Sequence, residues 1–153
     1  MFGFNKEKWC AHATGKLISI DQVPDPVFSQ KMMGDGYAIE VEGEAIYAPT
    51  DGEVTMIFPT KHALGFKTKK GTEILIHIGL DTVSLNGEGF TVHCNVGDKV
   101  KAGDKIVSID YDLFRRQEIN LVTPVVFTEN TSFILNGVGN AVEACDILEI
   151  KVK

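Results

Sequence analysis

The sequence predicts an all-β fold, an antiparallel sandwich or barrel-sandwich hybrid with short helical segments. Short apolar or alternating segments recur along it, and pairs of Gly, Asp, Pro and Asn punctuate them. No helical apolar pattern runs for more than about two turns. In chain order the strand segments are "KLISI" (16–20), "YAIEV" (37–41), "EVTMIF" (53–58), "EILIHIGL" (73–80), "KIVSID" (105–110), "TPVVFT" (123–128) and "ILEIKV" (147–152). The turn signals "GDG" (34–36), "TDGE" (50–53), "NGEG" (86–89) and "VGD" (96–98) fall between them. Two stretches read as brief helices, 25–33 and "YDLFRRQEINL" (111–121). The second places Leu113, Phe114 and Ile119 loosely on one face.

Two internal echoes support the β assignment. "AHATGKL" (11–17) resembles "APTDGEV" (48–54), and "VGDKVKAGDKI" (96–106) resembles "VGNAVEACDIL" (138–148). The second pair is a hairpin signature, in which glycine supplies positive φ and Asp caps the turn. The echoes predict a pseudo-symmetric sandwich rather than a string of independent repeats. They also give Cys145, which stands where the other copy has Gly103, the part of a small hairpin filler.

A chain of 153 residues is one domain by size and long enough to bury a core without staples. We place that domain at 11–153, after an N-terminal extension at 1–10. A net charge of −6, from 15 basic and 21 acidic residues, argues against nucleic-acid binding and is compatible with a basic protein partner. Three cysteines, Cys10, Cys94 and Cys145, lack metal-site spacing and point to a reducing compartment. No signal peptide and no apolar stretch of bilayer-spanning length is present, so the expected location is cytoplasmic. Phe2, Phe4 and Trp9 suit either a shallow membrane contact or, more simply, a frayed terminus or a strand packed on the body.

His77 sits in the middle of the apolar strand "EILIHIGLDT" (73–82). Alternation puts Ile74, Ile76 and Ile78 on a core face and Leu75, His77 and Gly79 on the other. A lone histidine in a strand is more often a satisfied polar residue than a reactive one. His62, in "FPTKHALGFKT" just upstream, supplies a companion, because cross-strand neighbours lie only about 5 Å apart. Thr60, two residues before His62, would share its face and fix its tautomer. Two imidazoles so placed can bind a metal, move protons, or carry and cradle a phosphoryl group.

"FPTKHALGF" followed by "GTEILIHIGLDTVSLNGEGF" resembles the glucose-type IIA domain of the bacterial phosphoenolpyruvate-dependent sugar phosphotransferase system. "DQVPDPVFSQKMMGDGYAIE", "APTDGEV" and "VGDKVKAGDKI" fall in the order that family shows them, from about Ala11 to the C-terminus. The resemblance implies an antiparallel β-sandwich. It implies that His77 takes a phosphoryl group from the carrier HPr and passes it to a cysteine of a IIB domain. His62 would stabilise the phosphate in transfer, and Thr60 would orient His62. Asp25 and Asp81 would flank the site and receive a basic residue of a partner. Val27, Phe28, Phe58 and Leu75 would form the apolar contact surface, with Met32, Met33 and Gly34 at its edge. No cofactor is implied, and shuttling between partners favours a monomer. Which sugar permease is served is not legible. One departure is His12, where the family usually shows proline.

Phosphoryl transfer needs a neutral imidazole nitrogen and in-line approach, so positioning and charge stabilisation carry it. Apolar neighbours favour the neutral form of His77, a carbonyl near Gly79 would occupy one ring nitrogen, and the absent side chain of Gly79 would leave room for phosphate. Two other functional classes bear on these residues. The "VGDKVKAGD" hairpin resembles lipoyl and biotinyl carrier domains, but the lysine they modify would have to be Lys31, whose neighbours are Gln30 and Met32. A zinc hydrolase would need a third ligand, and neither H-x-H nor H-E-x-x-H occurs; an adventitious zinc at His62 and His77 is compatible with the pair.

Overall fold

A computed structural model describes residues 7–129 and 131–152. Its strands are β1 (Trp9–Cys10), β2 (Gly15–Ser19), β3 (Asp35–Val41), β4 (Ala45–Tyr47), β5 (Gly52–Ile57), β6 (Ala63–Thr68), β7 (Glu73–His77) and β8 (Phe90–Val92). They continue as β9 (Lys99–Val100), β10 (Lys105–Ile109), β11 (Val122–Phe127), β12 (Phe133–Leu135), β13 (Ala141–Val142), β14 (Ile147–Leu148) and β15 (Ile150–Val152). Eight of them form one sheet in the order β13-β2-β3-β11-β7-β6-β5-β9, and β4-β10-β8 form a second. The short pairs β1-β14 and β12-β15 complete the body. Every pairing among the described residues is antiparallel, as the sequence predicts.

The echoed segments are equivalent in hydrogen bonding as well as in sequence. Ala11 N–H donates to the Asp146 carbonyl (2.7 Å), and its counterpart Ala48 donates to Asp104 (2.8 Å). In return Cys145 N–H donates to Ala11 and Gly103 N–H to Ala48, both at 2.9 Å. The turn carboxylates match too: Asp104 accepts from Lys101 N–H and Asp146 from Glu143 N–H. Cys145 carries the left-handed backbone (φ +70) that Gly103 carries in the other copy (φ +90). The chain is therefore pseudo-symmetric, and Cys145 fills the predicted place.

Period-two alternation sorts the strands between two cores. Leu17, Ile39, Ile76 and Val125 face the larger one, with Trp9, Phe66, Phe114 and Phe127. Ile18, Ala38, Leu75 and Val126 face a smaller one, which Phe28, Ala63 and Leu80 complete. Each buried aliphatic or aromatic side chain of this kind contributes about 1.5–3 kcal/mol. Trp9 is packed on the body, its ring 5.9 Å from that of Phe127; the other two aromatics considered for a membrane contact, Phe2 and Phe4, lie outside the described residues. No helix among the described residues is long and apolar enough to cross a membrane.

Both helices are shorter than their sequence stretches. α1 (Pro26–Ser29) begins where the Asp25 carboxylate accepts from Val27 N–H (3.0 Å) and proline takes the first helical position. It stops after one turn because Lys31 turns to φ +58. Three residues on, Gly34 passes so close to the Phe127 carbonyl that only glycine fits. α2 (Tyr111–Arg116) is capped by Asp110, which accepts from Leu113 N–H (3.0 Å), and the helical path is abandoned by Glu118 at φ +56. Its Phe114 is fully buried against Phe90.

Candidate functional site

Strands β6 and β7 form a hairpin joined by residues 69–72, with Ala63 opposite His77. His62 immediately precedes β6, so the hairpin brings the two histidines to the same end of the sheet. Ile78 N–H donates to the His62 carbonyl (2.7 Å) and ties the two backbones together. The imidazole centroids are 4.9 Å apart with the rings at 78°. Phe28 abuts His77 edge-on (5.1 Å) and Phe58 abuts His62 (5.4 Å), so four rings stand in a row, Phe28, His77, His62, Phe58.

Each imidazole has its Nδ1 engaged. His77 Nδ1–H donates to the Gly79 carbonyl (2.7 Å), which leaves the lone pair on Nε2. Thr60 Oγ1 lies 2.6 Å from His62 Nδ1. Burial pushes the pKa of His77 below its usual value; the Gly79 bond and the negative charges of Asp25 and Asp81 oppose that without reversing it. His62 is lowered by burial and by the neighbouring His77. Both rings are thus neutral near pH 7, one with a bare nitrogen. Such a pair can accept a phosphoryl group at one ring and donate a hydrogen bond to it from the other. Among the described residues, no group of three or more His, Cys, Asp or Glu side chains is placed to hold a metal.

The structure brings His62, His77, Thr60, Asp25 and Asp81 to one place, and it corrects two expectations about the surroundings. Of the four apolar residues expected at the contact surface, Val27 is exposed (39%) and Phe58 half-buried. Phe28 and Leu75 are 3% and 6% exposed. They belong to the small core beneath the site, because α1 covers the sheet face on which Leu75 lies, and so they support the histidines from below. Met32 is exposed (69%) and Met33 is half-buried.

Gly79 is the second correction. The alternation of β7 ends at His77, and Gly79 has φ +74. A Cβ there would point inward, 2.7 Å from Thr82 Cγ2 and 2.9 Å from the Asn120 carbonyl. The glycine is demanded by a left-handed turn packed against residues 120–123, not by space for phosphate above the strand. Two further residues belong to the site's support and carry no signal of it in the sequence. Thr123, buried in β11, takes the Gly79 N–H on its hydroxyl (3.3 Å), and His12 bonds to the Thr123 carbonyl (2.8 Å).

Comparison with known proteins adds an independent line. A family model described as phosphoenolpyruvate-dependent sugar phosphotransferase system, EIIA 1, matches residues 7–133. The chain is similar to the PTS system glucose-specific EIIA component of Bacillus cereus, 50% identical over 124 residues, which are 81% of this chain and 75% of that protein. It is 52% identical over 118 residues to the PTS system glucose-specific EIIA component of Halalkalibacterium halodurans, covering 77% of this chain and 68% of that one. The PTS system glucosamine-specific EIICBA component of Bacillus subtilis is 51% identical over 118 residues, 77% of this chain but 18% of the longer protein. Among solved structures, the glucose permease IIA from Mycoplasma capricolum superposes with a TM-score of 0.87 at 41% identity, covering 98% of this chain and 99% of that one.

Proposed function

The chain belongs to the EIIA 1 family of the phosphoenolpyruvate-dependent sugar phosphotransferase system, and from that premise we propose that His77 Nε2 is the atom that carries its phosphoryl group. The donor is the phosphohistidine of HPr and the acceptor a cysteine of a IIB domain, in the cytoplasm, on a monomeric carrier domain. Its boundary is corrected from residue 11, because β1 (Trp9–Cys10) pairs with β14 and buries Trp9 in the main core. The permeases served are of the glucose class. The observation that carries the reading is the bond from His77 Nδ1–H to the Gly79 carbonyl, which frees Nε2 on a neutral ring beside His62.

In the accepting step the His77 Nε2 lone pair attacks phosphorus while the P–N bond to the donor's imidazole breaks. Each ring keeps the hydrogen on its other nitrogen, so no net proton moves. Thr60 O–H donates to His62 Nδ1, which leaves the His62 proton on Nε2 to hydrogen-bond a phosphate oxygen as charge shifts in transfer. In the second step a cysteine thiolate attacks phosphorus, and the P–Nε2 bond breaks. Phe58, whose ring abuts His62, is half-buried, and Val27 in α1 and Met32 just after it are apolar and exposed, suited to exclude water when a partner docks. Asp25 and Asp81 would meet a basic side chain on that partner.

Phosphorus NMR of the phosphorylated protein tests the assignment, since phosphate on Nε2 and on Nδ1 of histidine resonate apart. A single Nε2 signal that disappears in His77→Gln is expected. An Nδ1 signal, or one that survives that substitution, overturns the assignment.

A further inference from the structure

The tautomer of His77 is only as well fixed as the Gly79 peptide whose carbonyl holds it, and that peptide lies beyond the last residue of β7. The leading end of β11 holds it instead. Strand β7 pairs with β11 only from Val125 onward, so residues 120–123 run beside the chain as it leaves β7. Gly79 N–H donates to Thr123 Oγ1 (3.3 Å) and Leu80 N–H to the Asn120 carbonyl (2.8 Å). The Thr123 hydroxyl donates its own proton to the Leu121 carbonyl (3.0 Å), which turns its lone pairs to Gly79. Thr123 is fully buried.

Behind Thr123 stands His12, also fully buried, whose Nε2–H donates to the Thr123 carbonyl (2.8 Å). Its Nδ1 has no partner among the described residues. A buried imidazole with one unpaired nitrogen is a net expense that a phenylalanine would avoid. What the ring returns is its one bond to Thr123.

We propose that Thr123 is a positioning residue for His77: its hydroxyl holds the Ile78–Gly79 peptide and, with the Leu80 N–H bond to Asn120 that holds the next peptide, sets the Gly79 carbonyl that keeps the His77 proton on Nδ1, with His12 anchoring Thr123 from behind. The proposal rests on the reading of His77 as phosphoryl acceptor only for its effect on transfer. Its effect on the tautomer needs no partner.

The test uses Thr123→Val, which keeps the shape and loses the acceptor, and Thr123→Ser, which keeps the hydroxyl. Nitrogen-15 NMR of the His77 ring reports the tautomer, and a rapid-mixing assay with phosphorylated HPr reports acceptance. Wild type and Thr123→Ser are expected to show the Nδ1–H tautomer alone. Thr123→Val is expected to show a mixture and to accept roughly three- to tenfold more slowly, the worth of one neutral hydrogen bond. A folded Thr123→Val with wild-type tautomer and rate overturns the proposal. So does a Ser variant as impaired as the Val variant, which would make packing the cause. Should the Val variant not fold, His12→Phe frees the Thr123 carbonyl while sparing its hydroxyl, and unshifted His77 signals there also overturn it. A tautomer shift in the Val variant together with a wild type that accepts no phosphoryl group would uphold the positioning and overturn the carrier reading.

Discussion

Replacing Gly79 by alanine separates two reasons for placing a glycine beside a reactive histidine. The left-handed backbone at φ +74 costs a non-glycine residue about 1–2 kcal/mol. The new Cβ would also lie 2.7 Å from Thr82 Cγ2 and 2.9 Å from the Asn120 carbonyl. One of these is backbone and cannot rotate away, so overpacking adds about 1–3 kcal/mol. Together they amount to roughly 2–5 kcal/mol, and at about 2–4 °C per kcal/mol for a chain of this size Tm falls by roughly 4–20 °C. Relief comes by moving the 78–80 peptides outward, which weakens the bond from His77 Nδ1 to the Gly79 carbonyl and slows acceptance as well. Differential scanning calorimetry and an acceptance assay on the same preparation read both effects. If glycine were there to make room for phosphate, Gly79→Ala would keep its stability and lose only transfer. A Tm within about 2 °C of wild type would therefore refute the packing argument.

His62→Gln should leave His77 able to accept a phosphoryl group but slow its onward transfer by about a hundredfold or more, the usual cost of losing one transition-state donor; single-turnover assays with HPr and with a IIB domain separate the two steps. Because burial lowers the pKa of both site histidines, acceptance should stay level as pH falls to about 6.5 and decline only below that; a decline already complete at pH 7 would contradict it. His12 is held down to about 4 against an ordinary 6.5, so below pH 6.5 the unfolded chain binds a proton that the folded chain refuses. Folding stability should fall by roughly 3 kcal/mol between those two values, and His12→Phe should flatten the slope in urea midpoints measured across that range. Asp81→Asn, which removes the charge but tolerates the left-handed backbone at φ +58, should weaken HPr binding more at low salt than at high salt.

The strands were legible because one face of each is buried and the side-chain period is two: "KLISI" and "EILIHIGL" announce β2 and β7 directly. The histidine pair was legible because a hairpin of four linking residues brings sequence neighbours together, here residues 62 and 77. What failed was less local. Lys31 and Glu118 adopt left-handed backbones without being glycine, and nothing in their identity signals that a helix has ended by there. The resemblance put Leu75 and Phe28 at the contact surface, and their burial is not legible in the sequence because the covering of one sheet face by the single turn of α1 is a tertiary event. Thr123 reads as an ordinary strand residue in "TPVVFT", and its hydroxyl meets a peptide 44 residues away. His12 stands 111 residues from its partner, a pairing that no period or spacing encodes.

Whether His77 takes the phosphoryl group decides the rest. Phosphoenolpyruvate, Enzyme I and HPr incubated with the wild-type chain, read by intact mass, test it directly. Gain of one acid-labile phosphoryl group by wild type and by His62→Gln, and none by a folded His77→Gln, is the predicted result. Phosphorylation of His77→Gln, or none of the wild type by competent HPr, would contradict it.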